Sequence, residues 1–140
     1  MKRRRRTEIL VRGSIEVTRR LAQKIIDNYD VKVIEEPNNG LVMIKVRETA
    51  KKSLFYLGEL FVTEAKVQIE GNLGIGIVRG NHEELAYYLA VIDAAYNGNL
   101  EETKSFTDIL LQEEKNIDIQ REKYQEKILK TRVSFETMDV

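Results

Sequence analysis

The stretch that decides the fold is FYLGELFVTEAKVQIEGNLGIGIV, residues 55–78. Phe55–Ile69 is rich in β-branched and aromatic side chains, which fit a pleated, half-buried surface. Glu70-Gly71-Asn72 supplies residues that tolerate the backbone of a tight turn. Leu73–Val78 then returns as a second β-rich run, so the segment predicts a long antiparallel hairpin. Gly58 marks an expected bend, because an isolated glycine inside a strand pattern signals a bulge or a close backbone approach. Upstream, Val31–Glu36 alternates like a strand. Pro37-Asn38-Asn39-Gly40 reads as a turn, since Pro fixes φ while Asn and Gly accept positive φ. Leu41–Glu48 is then the returning strand, and the two consecutive hairpins give four strands.

Helical patterns bracket these strands. Thr7–Arg12 predicts a short helix broken at Gly13. Ser14 is placed to cap the next one, its hydroxyl accepting from an orphan helical N–H. Ile15–Tyr29 sets Val17, Leu21, Ile25 and Ile26 on one face. Asn81, with Glu84 three residues later, has the spacing of a capping box with Asn in place of Ser or Thr. Leu85, Leu89, Ile92 and Tyr96 continue a buried stripe. Asn97-Gly98-Asn99 ends that helix, with Gly98 suited to the left-handed conformation. Phe106–Lys130 carries a thinner stripe of Leu110, Ile117, Tyr124 and Ile128 between charged flanks. It reads as a long helix whose narrow seam suits a partner helix, or as a solvated helix lying across its own domain. Thr131–Val140 returns to an extended, β-like composition. The expected fold class is α+β: a four-stranded antiparallel sheet with helices packed on one face, a long C-terminal helix and a short extended tail. Residues 1–100 form the core, and residues 101–140 add the helix and an interaction strand to the same domain.

A chain of 140 residues is long enough for one real core. The absence of cysteine excludes disulfides, iron–sulfur ligation and a thiol nucleophile. A lone histidine, His82, argues against a self-contained zinc site. No apolar run approaches the roughly 20 residues of a membrane span. Lys2–Arg6 is basic but no apolar region follows, so no signal peptide and a cytoplasmic location are expected. The formal net charge is zero but unevenly spread. Residues 1–24 hold nine Lys or Arg against Glu8 and Glu16, a local charge of +7. Such asymmetry fits a nucleic-acid arm, a docking surface, or one end pairing with the other.

The order of motifs resembles the PhnG family, a subunit of the bacterial carbon–phosphorus lyase system. The resemblance rests on Phe55-Tyr56-Leu57-Gly58-Glu59, on Val62–Val67, and on Gly74–Gly80. It continues through Ala90-Val91-Ile92-Asp93-Ala94 and closes on Arg132–Met138, similar to the family's RVxFxTM ending. The basic run Lys2–Arg6 stands outside the pattern. The resemblance implies a subunit that assembles with PhnI-like, PhnH-like and PhnJ-like partners. Such an assembly supports displacement of adenine from ATP by methylphosphonate, giving α-D-ribose 1-methylphosphonate 5-triphosphate. It implies that ATP is a substrate of the assembly, that this chain holds no cofactor, and that the chemistry belongs to the PhnI-like subunit. A homo-oligomer is expected when the chain is isolated, because exposed seams and edges seek substitutes.

The residues agree in offering no self-sufficient active site. Gly74–Gly80 fails the GxGxxG pattern at Arg79, and no Lys-Ser or Lys-Thr follows. A strand with closely approached glycines is the reading preferred over a phosphate sensor. Glu59 and Glu64 fall on opposite faces of one strand unless a bulge intervenes, which suits ion pairing at an interface better than acid–base chemistry. Thr63 fits the strand by β propensity. Asp93 interrupts an apolar helix and, if buried, needs an Arg or a backbone N–H as partner. Lys2–Arg6 reads either as a frayed charged terminus or as a phosphate-binding arm, the latter making the chain a small nucleic-acid-binding or regulatory module. Arg132, Phe135, Thr137 and Met138 suit strand addition to a neighbouring sheet edge, or folding back on the chain's own sheet. The expected interface residues are thus Gly58, Glu59, Thr63, Glu64, Asp93, Tyr124, Arg132, Phe135, Thr137 and Met138, with no catalytic or metal-binding residue.

Overall fold

The computed structural model describes residues 1–47, 50 and 54–138, with side chains at 1–46, 50 and 58–133. The order of elements is α1 (Arg3–Arg12), α2 (Ile15–Asn28), β1 (Val31–Arg47), β2 (Leu54–Ile69), β3 (Asn72–Arg79), α3 (Glu83–Asn97) and α4 (Thr103–Met138). The described strands form one antiparallel sheet in the order β1-β2-β3. This is the α+β class expected, with three strands among the described residues where four were expected.

The missing reversal is at Pro37-Asn38-Asn39-Gly40. The chain does not turn there but runs on as a single strand, paired with β2 from Val31↔Ile69 to Arg47↔Leu54. The register slips between Val33 and Glu35 and again between Glu35 and Asn38. The same residue types that make a turn therefore make bulges here. β1 is an edge strand, where a proline lacking its N–H is tolerated. The Asn38 side-chain amide donates to the Glu35 carboxylate at 2.8 Å and to the Glu36 carbonyl at 2.9 Å, satisfying groups that the irregular ladder leaves over.

The β2–β3 hairpin is as expected. Ile69 pairs with Asn72 across Glu70 and Gly71, whose φ angles of 50° and 82° are the paired positive values of a type I′ turn. The bend near Gly58 is a bulge in β2: Ile44 pairs with Gly58 but Lys45 pairs with Tyr56.

α3 is the centre of the molecule. Its sequence is apolar nearly all round, as a helix covered on every side must be. One face lies on the sheet, and α2 packs on another. Gly74 and Gly76 make the sheet contact possible: a Cβ on either would sit 2.1 Å from a backbone oxygen of α3, Ala90 O or Ala86 O. Leu89, Val91, Ile92, Leu21, Ile25, Val67 and Ile69 fill the core around it. Phe106 and Leu110 of α4 close the core with Ile9 and Leu10 of α1.

Three details of the helix ends differ from expectation. α1 begins at Arg3, so Arg3–Arg6 is helical rather than frayed. α3 is capped by His82, not Asn81, and no side chain makes the cap bond. At its other end Gly98 has φ of −86°, and Asn99 takes the left-handed position with φ of 50°. Asn tolerates that region better than most residues. A Cβ at Gly98 would lie 2.9 Å from the Asn72 amide, the end of a side chain that can shift. Ser14 does cap α2, accepting from the Glu16 N–H.

The extended tail is also corrected. α4 continues to Met138. Between Thr103 and Met138 the sequence holds no glycine or proline, so nothing stops the helix. No helix among the described residues is long and apolar enough to cross a membrane.

Candidate functional site

The most polar point inside the body is Asp93, in the middle of α3 and 5% exposed. Its carboxylate accepts three bonds. Arg6 Nη2 donates to Oδ1 at 2.8 Å, Arg3 Nη2 to Oδ2 at 3.0 Å, and the Ile75 N–H to Oδ2 at 2.9 Å. The Ile75 N–H belongs to the outer edge of β3, so Asp93 ties a sheet edge, its own helix and α1 together. Arg6 is equally buried, and its guanidinium lies 4.1 Å from the centroid of the Tyr96 ring. Burial pulls the Arg6 guanidinium below its ordinary value, with the Asp93 charge opposing that pull. Burial likewise pushes the Tyr96 phenol up. A small cleft beside this cluster is lined by Arg3, Arg6, Thr7, Ile75, Ile77 and Asp93 among others.

The cluster explains a local oddity. Four arginines at a helix N-terminus oppose the helix dipole, and α1 has no acidic residue in its first turn. Carboxylates from other elements supply the missing charge. Asp93 takes Arg3 and Arg6, while Glu114 of α4 takes Arg5 through bonds of 2.9 and 2.6 Å. The basic opening thus meets negative charge from the C-terminal half within the same chain.

Thr63 is fully buried in β2 and joins two segments. Its hydroxyl lies 2.6 Å from the Gly80 carbonyl and 3.2 Å from Asn39 Oδ1, and it accepts from the His82 N–H at 3.0 Å. It therefore fixes the β3–α3 connection, where Gly80 has φ of 85°. Glu64 points to the other face, 3.5 Å from Lys66, which also meets Glu35 at 3.3 Å. Glu59 is exposed and lies opposite Met43. The bulge lies beyond Glu59, so Glu59 and Glu64 stay on opposite faces and do not converge. Gly74 and Gly76 lie beneath α3 rather than in an open loop. His82 is exposed. Among the described residues no group of three or more His, Cys, Asp or Glu side chains could hold a metal ion.

Two features project from the body. The first is a two-stranded ribbon. β3 pairs with β2 only as far as Val62↔Arg79, so residues 40–47 of β1 and 54–61 of β2 have no third strand among the described residues. Leu41 is 62% exposed and Met43 58%, and Val42, Val46 and Phe61 are also exposed. The second is the distal part of α4. Every described side chain from Asp118 to Val133 is exposed, with Tyr124 at 66%.

The family model described as phosphonate metabolism protein PhnG matches residues 1–139. The chain belongs to the PhnG family. Its role is accordingly in phosphonate metabolism. The match takes in the basic opening that the sequence motifs alone left outside. No curated protein matches the chain. On this PhnG-family chain, Gly58 and Glu59 lie on the projecting ribbon, while Thr63 and Asp93 are internal. Tyr124 and Arg132 lie on the projecting part of α4. The backbone of Phe135, Thr137 and Met138 continues that helix, and their side chains lie outside the described ones. Arg3, Arg6 and the Ile75 N–H were not legible as partners of Asp93. The available signal was the lone carboxylate in an apolar helix, which called for an Arg or a backbone N–H without saying which one.

Proposed function

We propose that this PhnG-family chain is a non-catalytic but required subunit of the carbon–phosphorus lyase core assembly. In that assembly ATP and methylphosphonate give α-D-ribose 1-methylphosphonate 5-triphosphate with release of adenine, on a PhnI-like subunit. PhnH-like and PhnJ-like subunits complete the particle. The observation that carries this reading is the pair of projecting apolar surfaces. A two-stranded ribbon is at best marginal alone in water, and contiguous exposed apolar surface marks interaction sites. The polar groups of Asp93 and Thr63, by contrast, are engaged in holding the body together. Gly58, Glu59, Tyr124 and Arg132 are the residues of the projecting parts placed to meet partners.

The reading as a nucleic-acid module draws on Lys2–Arg6. Arg3, Arg5 and Arg6 of that run face Asp93 and Glu114, which favours a structural use of the charge. The test is co-expression of tagged chain with the PhnH-like, PhnI-like and PhnJ-like subunits, followed by purification and light scattering. A stable multi-subunit particle is expected. A chain that emerges alone while the partners are soluble would overturn the proposal.

A further inference from the structure

α4 carries an apolar stripe whose first half is used by this chain; the exposed second half also holds Ile119, Leu129 and Val133, but these fall toward the opposite face and do not continue the buried stripe. Phe106 and Leu110 are fully buried, and Ile117 packs against the core. At 3.6 residues per turn, Tyr124, Ile128 and Thr131 fall on the same stripe. These lie beyond the body, where the helix projects by some 30 Å at 1.5 Å per residue. Tyr124, Lys127, Ile128, Thr131 and Arg132 line a shallow cleft there. The charges at its borders share one sign. Arg121 lies on one side and Lys127 on the other, while Glu122 and Glu126 fall toward the opposite face of the helix.

We propose that the stripe Tyr124–Ile128–Thr131, bordered by Arg121 and Lys127, seats an amphipathic helix of a partner subunit whose apolar face is edged with Asp and Glu. This rests on the assembly reading and adds the face and the chemistry of the contact. Continuity favours a helix, because the partner extends a helix-on-helix core that α1 and α4 begin. Charge complementarity sets its borders. A second copy fits poorly. Running parallel and in register, its α4 would have to pass through the body already seated on the stripe at Phe106, Leu110 and Ile117. Running antiparallel about Tyr124 and Ile128, it would bring the two Lys127 side chains together, and like charges at close range repel.

The test uses the full chain co-expressed with its three partner subunits. Two double variants are compared with wild type: Tyr124→Glu with Ile128→Glu, and Arg121→Glu with Lys127→Glu. All four positions are exposed, so each variant should unfold at the wild-type temperature. Recovery of partner subunits should fall at least ten-fold for the first and clearly for the second. Carbodiimide, which joins amines to carboxylates without a spacer, should link Lys127 to Asp or Glu on a partner helix, mapped by mass spectrometry. Undiminished recovery by both variants from a wild type that does assemble would sink this inference and leave the assembly reading standing. No assembly by wild type would sink both. An isolated dimer dissolved by Tyr124→Glu with Ile128→Glu would assign the stripe to a second copy instead. Binding to duplex DNA or anionic vesicles lost with Lys127→Glu would assign it to a polyanion.

Discussion

Replacing Asp93 by alanine tests the cluster that joins α1, α3 and β3. The substitution removes three accepted bonds at 2.8, 3.0 and 2.9 Å. It leaves Arg6, 5% exposed, as a buried cation without a counter-charge, and leaves the Ile75 N–H unpaired. Removing one partner of a buried pair costs about 3–5 kcal/mol. For a domain of this size that lowers the melting temperature by roughly 10–15 °C. Arg3 has a side chain 59% exposed, so Arg3→Ala should cost less than about 1 kcal/mol. The double change Arg6→Met with Asp93→Asn removes both charges and keeps an acceptor for the Ile75 N–H. It should recover more than half of the loss, since charged groups are costly chiefly when left unmatched. Thermal unfolding followed by circular dichroism measures all three, and hydrogen exchange should show α1 losing protection in Asp93→Ala. A cost for Asp93→Ala below about 1 kcal/mol, or equal to that of Arg3→Ala, would refute the reasoning.

Three further outcomes are expected. Gly76→Ala should destabilise by about 1–3 kcal/mol or more, because the new Cβ meets a helix backbone oxygen that cannot rotate away; urea unfolding reads this, and a neutral result would mean α3 can lift off β3 freely. Thr63→Val should cost about 1–3 kcal/mol by stranding the Gly80 carbonyl and the His82 N–H, whereas Thr63→Ser should stay close to wild type; equal loss in both would assign the effect to packing. Glu114, Glu84 and Glu35 are held below their ordinary value of 4.5, chiefly by hydrogen bonds from Arg5, from Tyr88 and from Asn38 respectively. A lowered folded-state value means that the stabilisation is present above pH 4.5 and fades as pH falls through the lower values. Unfolding curves from pH 6 to pH 3 should therefore show a small decline beginning below about 4.5, reduced in Glu114→Gln; a decline already complete at pH 5 would contradict it.

Much of the fold was legible where local chemistry has one outcome. Glu70-Gly71 accepts paired positive φ, and the hairpin followed. Leu21, Ile25, Leu89 and Ile92 kept helical spacing, and the helices followed. Pro37-Asn38-Asn39-Gly40 was different, because turn and bulge use the same residues. What decides between them is a partner strand long enough to pair on both sides, and β2 is that strand. The tail misled through composition: Val133 and Phe135 favour strands weakly, but an unbroken helix propagates at little cost once nucleated. Asp93 announced its need for an Arg or a backbone N–H, yet its two arginines lie 87 and 90 residues away and only packing brings them near.

The side chains of α3 and the bulges of β1 have a shared effect on how far the sheet can grow. Along β3, Asp93 takes the Ile75 N–H, and the Asn97 amide donates to the Leu73 carbonyl at 2.8 Å. Along β1, Pro37 and two slips of register interrupt the row of groups another strand would need. Within the body both margins of the sheet are interrupted at these points, so stray pairing between copies meets a broken template there. Among the described residues the long bare margins are those of the ribbon, 40–47 of β1 and 54–61 of β2, which puts the hazard of a bare edge where a partner would also remove it.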